Sequence, residues 1–547
     1  MQRRHRNAAA RIAAALVISI CLFSHLGAIG FVGPDEPRYA WISRAMAETG
    51  DWVTPRLYGS PWFEKPILYY CASAAGFLLH LPAEWAGRLP SALAAFATAL
   101  VLSWLAGKHY GGAAGTAQNP ATLAPLLFST TVGAIGFARA ATPDMLFAGS
   151  ITLAMVSAAS VLRCAGALRS KANEPSIPSC RTVLPIVMFG SFLGLAVLAK
   201  GPAALVLASG AIGLWAFATK QWRAAGRVAH PFAIASFCVV ALPWYILCAI
   251  RNPSFVRVFL FQHNFERYVS PMFQHRQPFW FFVPIILLAL FPWTILLIPV
   301  VRESLRIWRE KSWSNSPGLY FACWAFFPVL FFSFSQSKLP GYILPAVPPL
   351  ALLTAISLAR LSARSASSLG WTLVLMGITW IALVLSAACW TKRLPANALA
   401  STGHALIAPL VIAVATGLAI LLMGILRKAN GVLLSVLSVT LIVETAGMNV
   451  LPSLDPYISG RWHAELLSND RRLDRLFSFH LQRSWNYGLA FYLRREVPEW
   501  SPKDPEAALV LTTPAGLEEL KKLGRFRGTL DEVETGILYV PVEPMQH

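Results

Sequence analysis

Charged residues cluster at the edges of apolar segments in this chain, and the first cluster is a pair of adjacent carboxylates. Asp35 and Glu36 follow the apolar run 11–32, where the chain first leaves that run. A carboxylate at the mouth of a membrane helix is costly unless it faces water, a partner or a substrate. A second cluster, Glu64 and Lys65, lies at the edge of the next apolar segment. The question is therefore whether the two clusters belong to one site.

Later clusters of the same kind add cations, a histidine and a tyrosine. They contain Arg38, Asp144, His263, Arg267, Lys338 and Tyr342. Lysine and arginine bind a phosphate and stabilise the charge it gains as it leaves. A carboxylate takes the proton from an attacking hydroxyl. If these groups face one aqueous cavity, they suit transfer of a group from an anionic lipid carrier.

Each residue also has a simpler interpretation when it is taken singly. Asp35 and Asp144 could be N-terminal residues that cap a helix. Glu64 and Lys65 could form a surface pair, and Lys338 could be a lysine whose stem lies along the membrane edge. Because these interpretations are independent, they do not explain why the clusters should occur together.

Composition places the chain among polytopic membrane proteins. It has 547 residues, of which 56% are hydrophobic and only 13% charged, and its mean hydropathy is +0.55. A soluble protein has about 25% charged residues. The net charge of +20 comes from basic residues in short stretches between apolar runs, so we expect no nucleic-acid partner. The eight cysteines contain no CxxC pair and indicate neither a zinc site nor a disulfide framework.

The apolar pattern predicts a mostly α protein with about thirteen transmembrane helices. Most are near the length needed to cross a bilayer core of about 30 Å. The predicted spans are 11–32, 88–107, 121–139, 145–164, 182–199, 203–219, 231–250, 279–300, 317–334, 342–359, 369–390, 405–426 and 432–450. The segment 66–81 is short and opens with charge, which favours a helix lying on the membrane surface.

The distribution of lysine and arginine predicts the orientation. With a cytoplasmic N-terminus, every inward loop carries lysine or arginine, as the positive-inside rule requires. Counting 66–81 as a span would invert all later loops. The clusters with unusual charge then fall on the outer face, where ATP and nucleotide sugars are absent. An activated group must therefore arrive there on a lipid.

Two outer helices and a soluble tail complete the predicted organisation. We expect the first outer helix from Asp35 to about Gly50, with Asp35 at the positive end of the helix dipole. Residues 1–450 form the predicted transmembrane domain, with its outer catalytic loop at 33–87. Residues 451–547 form a predicted small α/β domain on the outer (periplasmic) face. Its predicted elements are strands at 508–511 and 536–540 with a helix at 516–523 between them.

Several motifs resemble those of the aminoarabinose (lipid A) transferases, relatives of the protein O-mannosyltransferases in the GT-C superfamily. The motifs occur in family order between Val32 and Pro349. They are Asp35-Glu36-Pro37-Arg38-Tyr39-Ala40, Gly50-Asp51-Trp52, Phe63-Glu64-Lys65-Pro66, Thr142-Pro143-Asp144, Leu198-Ala199-Lys200-Gly201-Pro202, His263 with Arg267, Gln274-His275 before Pro278-Phe279-Trp280, and Ser337-Lys338-Leu339-Pro340-Gly341-Tyr342-Ile343-Leu344-Pro345. The stretch Tyr487–Leu493 gives weaker support.

The resemblance implies an inverting transfer of a sugar from a polyprenyl-phosphate donor. Carried over to this chain, it makes Asp35 the leading catalytic carboxylate and Asp144 a second acidic residue. The candidates for binding substrate are Glu36, Arg38, Lys65, Arg267, Lys338 and Tyr342. It also implies that a divalent metal (Zn, Mg or Mn) can sit between Glu64 and His263, although two ligands make a weak site.

The acceptor and the role of Asp35 stay open at this level. A phosphate acceptor is already ionised and needs no base, so Asp35 would then position reactants or stabilise the sugar cation. A hydroxyl of a glycan or protein needs a base. Pro37 and Gly341 stand where the lipid A enzymes often have threonine. The alternatives are a protein O-mannosyltransferase-like enzyme, a flippase for lipid-linked sugars and a non-catalytic scaffold. The expected location is the bacterial inner membrane.

Overall fold

The computed structural model is mostly helical. It describes residues 2–110, 119–164, 183–266, 277–309, 317–391, 396–428, 430–468, 475–501, 508–523, 531–532 and 536–542. The α-helices are Gln2–Phe23, Asp35–Thr49, Leu68–Leu78, Ala83–Tyr110, Pro120–Ser129, Val132–Ala138, Asp144–Cys164, Val183–Lys200, Ala203–Thr219, Trp222–Gly226, Pro231–Arg251, Phe282–Ala289, Leu297–Arg309, Pro317–Ser333, Val347–Arg364, Ala366–Thr391, Ala396–Ile425, Gly431–Thr445, Leu451–Ile458, Arg461–Leu467, Arg483–Leu493 and Pro514–Lys522.

The helical segments include many that can cross a membrane. Within the described residues, eight helices are long and apolar enough to span, and two bent pairs raise the number to ten. One bent pair is Pro120–Ser129 with Val132–Ala138, and the other is Phe279–Ala289 with Trp293–Arg309. Each of the thirteen apolar segments contains helix, and some of these helices are shorter than a full span. The chain is a multi-pass membrane protein, and the count of thirteen stays a prediction.

The first outer helix forms where the sequence predicts it. Gly33 has a φ of +70°, which lets the chain turn sharply before Asp35 starts the helix. Tyr39, Ile42 and Met46 recur at helical spacing and are buried. The helix ends at Gly50, whose φ of +68° makes a left-handed C-cap.

A short hairpin and a second outer helix follow. Strands Arg56–Leu57 and Ser60–Pro61 pair in antiparallel register around a two-residue turn. The helix Leu68–Leu78 matches the predicted surface helix at 66–81. Its glycine, Gly76, lies against Ala86 of the helix Ala83–Tyr110, where an added Cβ would come within 2.9 Å of Ala86 Cα. Small residues thus let this helix approach the first long membrane helix closely.

The tail has a four-stranded sheet. The strands are Leu476–Ser478, Ala508–Thr512, Leu538–Val542 and Asp531–Glu532, in that spatial order. The first pair is parallel and the other two pairs are antiparallel. Strands at 508–512 and 538–542 and the helix Pro514–Lys522 agree with the sequence prediction, whereas the strand Leu476–Ser478 and the helix Arg483–Leu493 were not predicted. The assignment of 1–450 and 451–547 as separate domains stays a prediction.

Buried polar contacts tie the tail to the start of the outer loop. The Asp455 carboxylate accepts a hydrogen bond from the Gly30 amide at 2.7 Å and pairs with Arg461 at 2.7 Å. The Tyr492 hydroxyl accepts from the Phe31 amide at 2.8 Å and donates to Glu84 at 2.7 Å. These bonds fix the backbone that leads into Asp35.

The connection that carries His263 contains a helix of unusual type. Arg257–Glu266, between the predicted spans 231–250 and 279–300, is a π-helix. Aromatic packing accounts for part of this order, because Phe255 and Phe259 stack with ring centroids 5.5 Å apart. The π-helix places His263 on a regular element, and such wide turns are frequent at functional sites.

Candidate active site

Asp35 begins its helix and joins three other charged side chains. The Arg38 guanidinium, one helical turn later, donates to its carboxylate at 2.5 Å. The Asp35 side chain stays 51% exposed, so it remains accessible to a ligand. Desolvation raises the pKa of the Asp35 carboxyl above its ordinary value, and Arg38 offsets part of that rise.

Glu64 and Lys65 complete what we call the outer acid cluster: Asp35, Arg38, Glu64 and Lys65. Arg38 contacts the Glu64 carboxylate at 3.0 Å, and the Lys65 ammonium lies 3.3 Å from the same carboxylate. Arg38, Glu64 and Lys65 are each less than one fifth exposed. The cluster therefore holds two cations next to the one carboxylate that is half exposed.

The Arg38 guanidinium is also held by aromatic rings. It lies 5.3 Å from the Tyr39 ring centroid, 5.3 Å from that of Trp62 and 5.6 Å from that of Tyr487. Cation–π contacts of this kind stabilise a cation that has lost water. Because Tyr487 belongs to the tail, the tail helps to fix the outer acid cluster.

Asp144 forms a second charged pair nearby. It opens the helix Asp144–Cys164, and its carboxylate contacts the ammonium of Lys200, the last residue of the helix Val183–Lys200. We call these two residues the Asp144 pair. Lys200 also lies 5.0 Å from the ring centroid of Tyr342. The charge of Asp144 contributes to the raised pKa of Asp35, so the pair and the cluster are electrostatic neighbours.

Gly341 makes room for this pair. A Cβ at this position would lie 2.8 Å from the Asp144 carboxylate and 3.0 Å from the Phe137 ring. The threonine that the lipid A enzymes often carry here could not be accommodated without a shift of Asp144 or Phe137. The geometry of the Asp144 pair thus depends on the absence of a side chain.

Glu36 lies on the opposite side of the helix from solvent, in what we call the buried clamp: Glu36 and Arg88. One carboxylate oxygen accepts from Arg88 Nε at 3.2 Å and from the Ala141 amide at 2.6 Å. The other accepts from Arg88 Nη2 at 2.7 Å and from the Val32 amide at 2.8 Å. Arg88 also donates to three backbone carbonyls, those of Leu26, Ile29 and Gly30.

The buried clamp joins two loops that carry the acidic residues. Val32 precedes Asp35, and Ala141 precedes Asp144. Arg88 is 3% exposed and Glu36 is 7% exposed, so neither reaches bulk solvent. A charge pair at this depth is stable only because its donors and acceptors are satisfied. The clamp therefore fixes the relative position of the loops that present Asp35 and Asp144.

The remaining predicted residues occupy varied positions. The Lys338 ammonium donates to the carbonyls of Ser335 at 2.6 Å and Gln277 at 3.0 Å, and burial lowers its pKa. Tyr342 packs against the Phe332 ring at 4.9 Å and beneath Lys200. Arg267 lies outside the described residues. Its substrate-binding role, like those of the other site residues, stays a prediction.

The implied metal needs several His, Cys, Asp or Glu side chains close together. The described residues contain no group of three or more His, Cys, Asp or Glu side chains that could hold a metal ion. The Glu64 carboxylate already faces the cations Arg38 and Lys65. Among the described residues there is thus no closed metal site, and the implied metal between Glu64 and His263 stays a prediction.

An open cavity of about 470 Å³ adjoins the cluster. Asp35, Glu36, Arg88 and Arg139 line it together with apolar residues from the end of the first helix. Its size is within the range of small-ligand sites. Asp35 thus faces open space on one side and Arg38 on the other.

Sequence reasoning missed two residues of this arrangement. Lys200 lies in a motif that was recognised without a role, and Arg88 lies inside an apolar segment. The signal available for Arg88 was its position, since an arginine within a membrane helix is costly and marks a partner or a functional site.

Comparison with known proteins identifies relatives by sequence. Residues 8–259 match the family model described as dolichyl-phosphate-mannose-protein mannosyltransferase. The chain is 32% identical over 355 residues to the undecaprenyl phosphate-alpha-4-amino-4-deoxy-L-arabinose arabinosyl transferase of Edwardsiella ictaluri (strain 93-146), covering 64% of this chain and 60% of that protein. The protein of the same name from Erwinia tasmaniensis is 32% identical over 322 residues, which are 59% of this chain and 54% of that one. The chain thus spans less than two thirds of these relatives.

Structural comparison agrees. ArnT from Cupriavidus metallidurans, in its crystal structure bound to undecaprenyl phosphate, has a TM-score of 0.76 and 23% identity, with 97% of each chain covered. The apo form of that protein has a TM-score of 0.74, with 98% of each chain covered. The predicted resemblance and the mostly α, GT-C type fold are confirmed.

Proposed function

We propose that this chain, an aminoarabinose-transferase-like membrane protein of the GT-C type, is a glycosyltransferase that uses a polyprenyl-phosphate-linked sugar. The observation that carries the proposal is the outer acid cluster. In this cluster the half-exposed Asp35 carboxylate pairs with Arg38, and Lys65 pairs with the adjoining Glu64. The relatives named above are transferases of a sugar carried on undecaprenyl phosphate, which supports the same chemistry here.

The donor phosphate would bind where the cations of the outer acid cluster meet. Arg38 and Lys65 both contact Glu64, and an incoming phosphate would share them with that carboxylate. Charge-assisted bonds from these cations stabilise the phosphate as its bond to the sugar breaks. The Lys200 ammonium, next to Asp144 and Tyr342, supplies a third positive charge nearby.

The acceptor would attack the sugar carbon from the face opposite the phosphate, which inverts the configuration. Asp35 would receive the proton from an acceptor hydroxyl, a role supported by the reach of its side chain into open space. A phosphate acceptor needs no base, and Asp35 would then orient it or stabilise positive charge on the sugar. Asp144, paired with Lys200, would hold that lysine in place.

The location proposed for this reaction is the outer face of a bacterial inner membrane. The N-terminus would be cytoplasmic and the tail periplasmic, as the loop charges predict. The donor and an acceptor that is a lipid, such as lipid A, or another glycan would both reach the site from that side.

A transfer assay tests the proposal. The purified protein, in lipid nanodiscs, is given a polyprenyl-phosphate sugar together with lipid A, a glycan or a peptide, and products are identified by mass spectrometry. We expect one acceptor class to gain one sugar. The same protein is also reconstituted in vesicles. Movement of the donor across the vesicle membrane without any transfer would overturn the proposal and indicate a flippase.

The pH dependence of transfer distinguishes the two roles of Asp35. A base acts as the carboxylate, so transfer to a hydroxyl should fail as the pH falls through the pKa of Asp35. Because that pKa is raised, the acid limb should lie at a higher pH than for an ordinary aspartate. If Asp35→Asn keeps the same acid limb, Asp35 is not the base.

A further inference from the structure

A second cavity, of about 570 Å³, lies between the hairpin of the outer loop and the tail. Its walls include Tyr58 and Trp62 from the hairpin and Tyr487 from the helix Arg483–Leu493. The polar groups along it come from Arg483, Asn486, Glu496 and Glu499. This volume is in the range of pockets that bind small ligands.

The lining combines flat rings with exposed charged groups. The Tyr58 and Tyr487 rings stack with their centroids 6.5 Å apart and an angle of 25° between planes. Rings of this kind offer an apolar face together with a polar edge. Arg483, Glu496 and Glu499 are exposed, so their charged ends can donate to or accept from hydroxyl or amino groups. Apolar faces surrounded by such groups match the two-sided surface of a sugar ring.

The backbone at Tyr58 is an independent observation. Tyr58 and Gly59 form the two-residue turn of the hairpin, with φ values of +50° and +81°. Such turns favour asparagine or glycine at the first position, because a larger side chain is strained there. A bulky residue kept in a strained conformation indicates a role for its side chain.

The cavity adjoins the outer acid cluster. Trp62 and Tyr487 line it, and both rings lie against the Arg38 guanidinium that binds Asp35. Between the cavity and Asp35 therefore lie one of these rings and Arg38. The charged and polar groups of the lining suit the head group of a substrate and not the apolar chain of the donor.

We propose that this cavity is a subsite for a sugar ring of the acceptor, near the position that receives the transferred sugar. The inference rests on the proposed function and deepens it. A glycolipid head group and a free glycan share this chemistry. The acceptor would extend past Arg38 and its aromatic rings, with its reactive group at Asp35 and a more distant ring in the cavity.

Two substitutions test the subsite. Tyr58→Asn removes the ring and relieves the strained turn, and Glu499→Gln removes one exposed charge. Both should raise the KM for the acceptor about tenfold, as loss of one ring or polar contact allows. The kcat at saturating acceptor should stay near that of the wild type. Glu499→Gln should also keep the wild-type Tm, whereas Tyr58→Asn should lower it because the ring packs against Trp41 with centroids 4.8 Å apart. The matched control is Glu518→Gln, an exposed tail glutamate that pairs with Lys521.

The assay is run with two acceptor forms, lipid A embedded in nanodiscs and a water-soluble glucosamine disaccharide. A raised KM with the embedded form alone assigns the ring to a glycolipid, and a raised KM with both assigns it to either source. An unchanged KM in both variants, or a lower kcat at an unchanged KM, would overturn the subsite.

Equilibrium binding separates this inference from the proposed function. Binding of the glucosamine disaccharide is measured by calorimetry without any donor. If the wild type transfers no sugar, the proposed function fails, yet binding that weakens in Tyr58→Asn and Glu499→Gln still supports the subsite. Binding equal in all variants, or absent from the wild type, contradicts it.

Discussion

Two neighbouring carboxylates have opposite surroundings in this protein. The Asp35 side chain is half exposed, faces a cavity and has one cation as its direct partner. Glu36 is buried and accepts four hydrogen bonds, two from Arg88 and two from backbone amides. Successive residues of a helix point about 100° apart, so a step of one residue is enough to turn Asp35 outward and Glu36 inward.

The difference in exposure indicates which carboxylate can take part in a reaction and which one stabilises the fold. A carboxylate that is reachable can exchange protons or orient a substrate, whereas one with every lone pair occupied cannot do so without breaking structure. We therefore expect substitutions in the outer acid cluster to change the rate, and substitutions in the buried clamp to change stability.

Breaking the buried clamp should have the largest effect. Arg88→Met leaves Glu36 buried without its cation and leaves three carbonyls without their donor, which should cost about 3–5 kcal/mol of unfolding free energy. Thermal unfolding in detergent measures this loss. Arg251→Met is the control, because Arg251 pairs with Asp51 at the surface and should cost at most about 1 kcal/mol. Equal stability of both variants would refute the clamp.

Removing the cation of the Asp144 pair should act on the rate. Lys200→Met takes a positive charge from the site and should lower kcat/KM for the donor about 10²–10³-fold, comparable to loss of one electrostatic stabiliser. Initial rates at varied donor concentration measure this effect. Lys521→Met, at an exposed tail lysine, should retain the wild-type value. Full activity of Lys200→Met would exclude Lys200 from the site.

The stability of the protein should depend on pH through a buried histidine of the tail. His463 is fully buried, and burial lowers its pKa to about 4. The His463 side chain binds a proton near pH 6.5 in the unfolded chain but only near pH 4 in the folded chain. Stability is therefore complete above pH 6.5 and should fall by about 3 kcal/mol as the pH drops to 4. Chemical unfolding across this range measures the slope, which His463→Gln should reduce. A wild-type curve without that slope would contradict the assignment.

Filling the space beside Asp144 should have the smallest effect of these changes. Gly341→Ala places a Cβ 2.8 Å from the Asp144 carboxylate, and the required shift should cost about 1–3 kcal/mol. We expect a rate lowered about tenfold by displacement of the Asp144 pair. Gly403→Ala, in open space, is the control for adding a methyl group. A wild-type rate in Gly341→Ala would mean that the position of Asp144 is not critical.

The sequence predicts the elements around the site better than the contacts within it. The helix Asp35–Thr49 follows from the spacing of Tyr39, Ile42 and Met46, and Gly50 signals its end. Lys and Arg in the loops indicate an orientation through local charge, and that orientation stays a prediction. These signals are local, so one sequence is enough to find them.

Contacts between residues far apart in the chain cannot be predicted from local sequence patterns. The bond between Glu36 and Arg88 joins residues 52 positions apart, and that between Gly30 and Asp455 spans 425 positions. The sequence therefore made Glu36 a candidate for binding substrate, and it did not indicate that Arg88 and two backbone amides would enclose the Glu36 carboxylate.

The most direct test of this account compares Asp35→Asn with Glu36→Gln in one preparation, by transfer rate and by Tm. We predict that Asp35→Asn loses about 10²–10⁴-fold in rate with a hydroxyl acceptor and keeps the wild-type Tm. Glu36→Gln should lower the Tm. Wild-type transfer by Asp35→Asn, or an unchanged Tm in Glu36→Gln, would contradict the division of roles between the two carboxylates.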